Sequence, residues 1–129
     1  MGMNYGMRRL KELGIEAEEV RLTGGGARNP VWRQVIADVF GVNVVAMKED
    51  EGAALGGALQ AAWCYDRHAG QSTSIVEICD GVVEMDESTR CQPDSDRHAY
   101  YSRLQDLQDE LSRALRDIFR KHRKLVSGG

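Results

Sequence analysis

The stretch from Val20 to Met47 constrains the fold more than any other part of the chain. It reads VRLT, GGG, ARNP, VWRQVIADVFG, VNVVAM: a short apolar run, three glycines, a helical pattern and a second apolar run. Val20 to Thr23 is extended and stops at Gly24, Gly25 and Gly26, whose missing side chains permit a tight reversal. Asn29 is a favoured N-cap type, and Pro30 suits the first helical position, where a missing N–H costs nothing. Val31, Val35, Ile36, Val39 and Phe40 then share one helical face, and Gly41 supplies the stop. Val42 to Met47 is apolar at both parities, as expected of a strand covered on both faces of a parallel sheet. Strand, helix and strand in that order form a crossover unit, which makes the fold class α/β.

The flanks are read from the same signals. Asn4 to Leu13 places Met7, Leu10 and Leu13 at helical spacing ahead of Gly14, a left-handed cap, and predicts an opening helix. Glu51 to about His68 is a second helix rich in small residues: Ala53, Ala54, Gly56, Gly57, Ala58, Ala61 and Ala62. A glycine in a helix interior costs about 1 kcal/mol relative to alanine, so close packing accounts for the pair and the helix is expected to be buried. Between residues 69 and 92, Ile75 to Ile78 and Val82 to Met85 read as short strands or a loose hairpin around Asp80-Gly81. After Pro93, Asp94 and Ser95 cap a long polar helix with Leu104, Leu107, Leu111, Leu115, Ile118, His122 and Leu125 at threes and fours. That ladder suits a domain core and a seam for another chain equally well. The tail after Val126 is expected to fray. Two strands make a thin sheet, and the expectation is that upstream strands lie outside this sequence.

Composition excludes more than it selects. The 129 residues suffice for one core. A net charge of -3 and a pI near 5.6 direct the chain toward neither nucleic acid nor an anionic membrane. Cys64, Cys79 and Cys91 are far apart and form no C-x-x-C pair, so reduced thiols are expected in place of a disulfide framework or zinc knuckle. The apolar runs fall short of the roughly 20 residues a membrane span needs, and a cytoplasmic protein is expected. His68, His98 and His122 sit on separate segments and read as surface or packing residues, and Glu49, Asp50 and Glu51 as a solvated loop before a helix. Arg120, Lys121, Arg123 and Lys124 offset a helix dipole. No metal ligands are expected.

The stretch TGGGARNP is at once a turn and a possible holder, because both need the same backbone. Bare glycine backbone admits a ligand to van der Waals contact, and a helix N-terminus offers unpaired N–H groups to an anion such as a phosphate. Its letters match neither G-x-x-x-x-G-K-[ST] nor G-x-G-x-x-G. Asn29 serves equally as cap or as ligand contact.

RLTGGGARNPVWRQVIADVFG followed by EGAALGGALQAAW resembles the C-terminal nucleotide-binding lobe of the FGGY carbohydrate kinases, and among them most closely the xylulokinases. The similarity runs from about Met3 to Trp63 and resumes faintly at QPDSDRHAYYSRLQDL, which resembles their last helix. The resemblance implies a partial actin- and ribonuclease-H-like (ASKHA) lobe, helix-rich, with residues 1–92 in the nucleotide-binding lobe and 93–129 as a long C-terminal helix and tail. It implies that Gly24, Gly25 and Gly26 lie along the nucleotide, with Gly25, Gly26 and Ala27 the best contacts and Asn29 a side-chain one. ATP and Mg2+ are the implied cofactors. Trp32 is read as packing and Arg33 as an ion-pair former.

The resemblance also implies that the catalytic aspartate, a D-x-G-T phosphate hairpin and the sugar site lie outside these residues; no D-x-G-T occurs here. The whole enzyme would convert D-xylulose to D-xylulose 5-phosphate, the sugar binding only with the missing N-terminal lobe, and this portion alone would be inactive. Two alternatives stand beside it: the lobe of an ATP-driven switch of heat-shock chaperone type, or a non-enzymatic module that oligomerises through its last helix. Trp32-Arg33-Gln34 and GAALGGALQAA favour the kinase. A sheet lacking members leaves an open edge and a bare apolar face, so a homo-oligomer is expected.

Overall fold

A computed structural model describes residues 2–128. In chain order these form α1 (Gly2–Glu12), β1 (Glu19–Leu22), a 3-10 turn (Gly25–Arg28), α2 (Pro30–Phe40) and β2 (Asn43–Met47). There follow α3 (Gly52–His68), α4 (Ile75–Asp80), β3 (Met85–Cys91), α5 (Ser95–Ala114) and α6 (Arg116–Val126).

The predicted strand, helix, strand unit forms as read. Asn29 Oδ1 accepts the N–H groups of Val31 and Trp32 at 2.9 and 3.2 Å, which starts α2. Gly41 ends it in the left-handed region at φ 70°, its N–H donating to the Ala37 carbonyl at 2.8 Å. A side chain there would strain the backbone and also strike His98, whose ring lies 2.6–2.9 Å from where a Cβ would stand. β1 and β2 pair in parallel, Val20 opposite Val44 and Leu22 opposite Ala46. Val44 and Val45 point to opposite faces of β2, and both are 0% exposed, so the strand is covered on both sides. Ile36, Ala37 and Val44 centre the core, with Val20, Leu22, Phe40 and Cys91 packed against them.

A third strand completes the sheet in the order β1-β2-β3, with β3 antiparallel to β2. Val44 opposes Cys91 but Ala46 opposes Asp86, so the ladder skips. The Thr89 hydroxyl fills the gap, accepting the Ala46 N–H at 2.9 Å and donating to the Asp86 carbonyl at 2.6 Å. Arg90 of β3 reaches Glu19 of β1 at 2.6 Å, and Arg21 reaches the same carboxylate at 3.0 Å. These two guanidiniums hold the Glu19 carboxyl below the usual range.

Asp38, 1% exposed, ties α5 to α2. Its Oδ1 accepts from Gln34 at 2.8 Å and from the Asp94 N–H at 2.9 Å, and Arg97 stands 3.5 Å from its Oδ2. Its backbone carbonyl contacts His98 Nδ1 at 2.9 Å, so His98 is a packing residue. α1 docks on α5 through Asn4 to Gln105, both buried, and through Arg8 to Asp106 at 2.6 Å.

Three expectations are corrected. α3 forms, but only Leu59 on it is buried; its alanines and Gly56 and Gly57 face solvent, because among the described residues no surface is laid against them. Ile75 to Ile78 is helical, not a strand: Ser74 caps Glu77 N–H at 3.2 Å while Glu77 Oε2 accepts the Ser74 N–H at 2.7 Å, a reciprocal box that fixes a helix start. The strand of that region is Met85–Cys91, one element later than read. The final helix is interrupted at Leu115, which keeps a right-handed conformation at φ -85° and ψ -5°. The tail expected to fray after Val126 falls on Ser127 and Gly128, where Ser127 N–H still donates to the Arg123 carbonyl at 2.9 Å, and on Gly129, which lies outside the described residues.

Candidate functional site

The glycine turn stands where β1 ends, and the loop before α3 stands where β2 ends. In a parallel pair these two ends lie together, the usual place for a ligand in an α/β sheet. Hydrogen bonds join them. Gly24 N–H donates to the Asp50 carbonyl at 3.1 Å, and the Thr23 hydroxyl lies 3.0 Å from the same oxygen and 3.3 Å from the Glu49 carbonyl. Arg28 pairs with the Asp50 carboxylate at 2.6 Å. Gly52 completes the fit, since a Cβ there would come within 2.9 Å of Thr23 Oγ1.

Each residue named from sequence has a distinct place. Gly24 takes φ 81° and ψ -176°, a backbone state that favours glycine. Gly25 is exposed with open space where a Cβ would go, whereas a Cβ on Gly26 would meet the Trp32 ring at 3.2 Å. Ala27 is 3% exposed, and its carbonyl accepts from Arg33 at 2.7 Å. Its methyl faces the core, so the turn would meet a ligand through Gly25 and Gly26 in preference to Ala27. Asn29 spends its side-chain oxygen on the cap.

This last contact corrects the expected source of anion-binding donors. Val31 and Trp32 N–H are bonded to Asn29 Oδ1, and Arg33 N–H to the Asn29 carbonyl at 3.0 Å, so the first turn of α2 is satisfied. Ala27 N–H donates to Gly24 and Asn29 N–H to Gly26, which leaves the N–H groups of Gly25 and Gly26 without a backbone partner among the described residues. The donors that remain are in the 3-10 turn.

Two residues that hold the turn were missed from sequence. Arg33 bridges the Ala27 carbonyl and, at 3.2 Å, the Thr89 carbonyl of β3, so it is a strut and makes no ion pair among the described residues. Asp50 supplies the other wall. Neither contact has a local signal, since one spans 56 residues and the other 22. A cleft of about 390 Å³ lies elsewhere, lined by Met7, Ile15, Phe40 and His98 among others, and takes no residue from the turn. The turn is open surface, as one wall of a larger site would be.

A parallel strand pair thus ends at a bare glycine turn, with α2 and α3 following its two strands. Residues 1–65 match the model of the C-terminal domain of the FGGY family of carbohydrate kinases, and the chain belongs to that family. It is 37% identical over 91 residues to the xylulose kinase of Haemophilus influenzae, which is 70% of this chain and 17% of that protein. Gluconokinase of Bacillus licheniformis is 33% identical over 101 residues, 78% of this chain and 18% of that protein. The crystal structure of xylulose kinase from Rhodospirillum rubrum superposes with a TM-score of 0.71 at 24% identity, over 92% of this chain and 23% of that one. That likeness carries the ASKHA fold. The chain therefore spans about a fifth of the length of the relatives it matches. Among the described residues no helix is long and apolar enough to cross a membrane.

Proposed function

We propose that this chain supplies the adenosine-side wall of the ATP site of a sugar kinase, which in the whole protein phosphorylates D-xylulose. The observation that carries it is the glycine turn: two N–H groups with no backbone partner among the described residues, beside open space at Gly25, on a loop pinned by Asp50. A nucleotide fits such a turn because no side chain stands between it and the donors. Gly25 and Gly26 would contact it, Gly24 and Asp50 would hold the turn's shape, and Asn29 would keep α2 in place behind it. ATP would bring the transferable phosphoryl group, with Mg2+ offsetting its charge. The proton-accepting aspartate and the sugar pocket belong, in this reading, to the rest of the protein, so the chain alone turns over no sugar. D-xylulose is preferred because xylulose kinases recur among the relatives; the gluconokinase keeps a sugar acid as the alternative.

Gly25 gives a cleaner test than Gly26, because a side chain there meets nothing in the fold. Calorimetric titration of the 129-residue chain with ATP is expected to show weak binding that Gly25→Val removes while the circular dichroism stays unchanged. ATP binding by Gly25→Val equal to that of the parent would remove the turn from the site.

A further inference from the structure

Trp32 is the largest side chain beside the glycine turn, and the fold leaves half of it bare. Its backbone is fixed. It is the third residue of α2, its N–H is held by Asn29 Oδ1 at 3.2 Å, and the next residue, Arg33, ties the helix to the Ala27 and Thr89 carbonyls. The indole meets the turn along one edge, Cδ1 and Nε1, each 3.2 Å from where a Cβ of Gly26 would stand. A side chain at position 26 would press on the ring, so the bare backbone of Gly26 is what lets the indole sit against the turn. Yet Trp32 is 51% exposed. Tryptophan is highly buried on average, and a ring held at one edge keeps much of its apolar area in water.

We propose that Trp32 is the base-stacking residue of this site, its indole forming the platform on which the purine of the nucleotide lies. The inference rests on the reading of the turn as the adenosine side of an ATP site, and it adds a residue that lies outside the turn. The chemistry around the ring selects a base over the other parts of a nucleotide. An indole face is electrostatically negative, so it gives a phosphate nothing to bind, whereas a flat heteroaromatic ring stacks on it. The cations on either side in sequence are engaged, Arg28 by the Asp50 carboxylate and Arg33 by two carbonyls, so neither draws a phosphate to the ring. Val31, the neighbour of Trp32 in α2, is 70% exposed and adds apolar surface at the same helix end. The donors of the turn belong to Gly26, which the indole touches, and to Gly25 before it. One ligand can therefore use both, hydrogen-bonding to the turn and stacking on the ring.

Trp32 and Trp63 are the two tryptophans of the chain, and Trp63 lies three turns into α3, so Trp63→Phe isolates the Trp32 signal. In that variant of the 129-residue chain, ATP and adenosine are expected to quench Trp32 fluorescence, saturating at the affinity that calorimetry gives. Inorganic tripolyphosphate, which carries the anion without a base, is expected to leave the fluorescence unchanged. In the chain with Trp63 restored, Trp32→Leu is expected to weaken ATP binding about tenfold and Trp32→Tyr about twofold. Tripolyphosphate binding and circular dichroism should match the parent in both variants, whereas a Trp32 that only shapes the turn would lower every ligand alike. ATP bound equally by the parent and Trp32→Leu, or bound with no change in Trp32 fluorescence, overturns the stacking role and leaves the turn as a nucleotide contact. No ATP binding by the parent chain overturns the reading of the turn, and the stacking role with it.

Discussion

α2 and α3 invite comparison because both follow a parallel strand and carry small or apolar residues along their length. α2 is buried at Ile36, Ala37, Asp38 and Val39, whereas α3 buries only Leu59 over 17 residues. The difference lies in partners within the chain. α2 has the sheet on one side and α5 on the other, and its one buried carboxylate is saturated by donors from α2 and α5. α3 has Thr23 at its start and α4 near its end, while Gly56 and Gly57 meet nothing within 4 Å. A helix is buried by what is placed against it, and a sequence states only that it is ready to be.

Removing the α2 tie gives the largest expected effect. Asp38→Ala strands the Asp94 N–H, takes one of two acceptors from Gln34 and opens a gap between α2 and α5, and is expected to cost about 3 kcal/mol in denaturant unfolding. Hydrogen exchange should accelerate first along α5; protection in α5 equal to the parent's would show that Asp38 is no anchor. The opposite sign is expected on α3. Gly57→Ala, at an exposed helix interior, should stabilise this chain by about 0.5–1 kcal/mol, read as a higher melting temperature. In a longer chain that covers this face the same change should cost stability, so the pair of melts reports whether α3 is bare or buried there.

The smallest effect concerns α4, which leans on α3. Hydrogen bonds from the Ser74 backbone and hydroxyl hold the Glu77 carboxyl below its ordinary value of 4.5. Its contribution is therefore complete above pH 4.5 and lost as the pH falls through the lower folded value. Protection of the amides at the start of α4, taken relative to their intrinsic exchange rate at each pH, is expected to fall as the pH drops below 4.5, and Ser74→Ala should flatten that dependence.

How much was legible follows the same division. β1, α2 and β2 were read because their signals are local: Asn29-Pro30 starts a helix, Gly41 stops it, and Val44-Val45 shows both faces apolar. α4 was misread because Ile75, Val76 and Ile78 are β-branched; Ser74 and Glu77, three apart, were the overlooked signal. β3 reads MDESTRC, an edge strand with too little apolar character to announce itself, and its pairing depends on Thr89. At the site, the turn was legible from three glycines, but its wall at Asp50 and its strut at Arg33 were not. Hydrogen bonds between distant segments leave no pattern along the sequence. The donor set was misassigned for a related reason: Asn29 fills the first turn of α2, a fact about one rotamer.

The bond from Gly24 N–H to the Asp50 carbonyl has a kinetic consequence. Its two ends are 26 residues apart in the chain, and they meet only once β1 and β2 have paired. The turn is therefore expected to take its shape after the strands pair, and to contribute little to the nucleus. Loosening Thr23 or Asp50 should then hasten unfolding and leave the folding rate nearly untouched. On that expectation the glycine turn is among the last parts of the chain to settle.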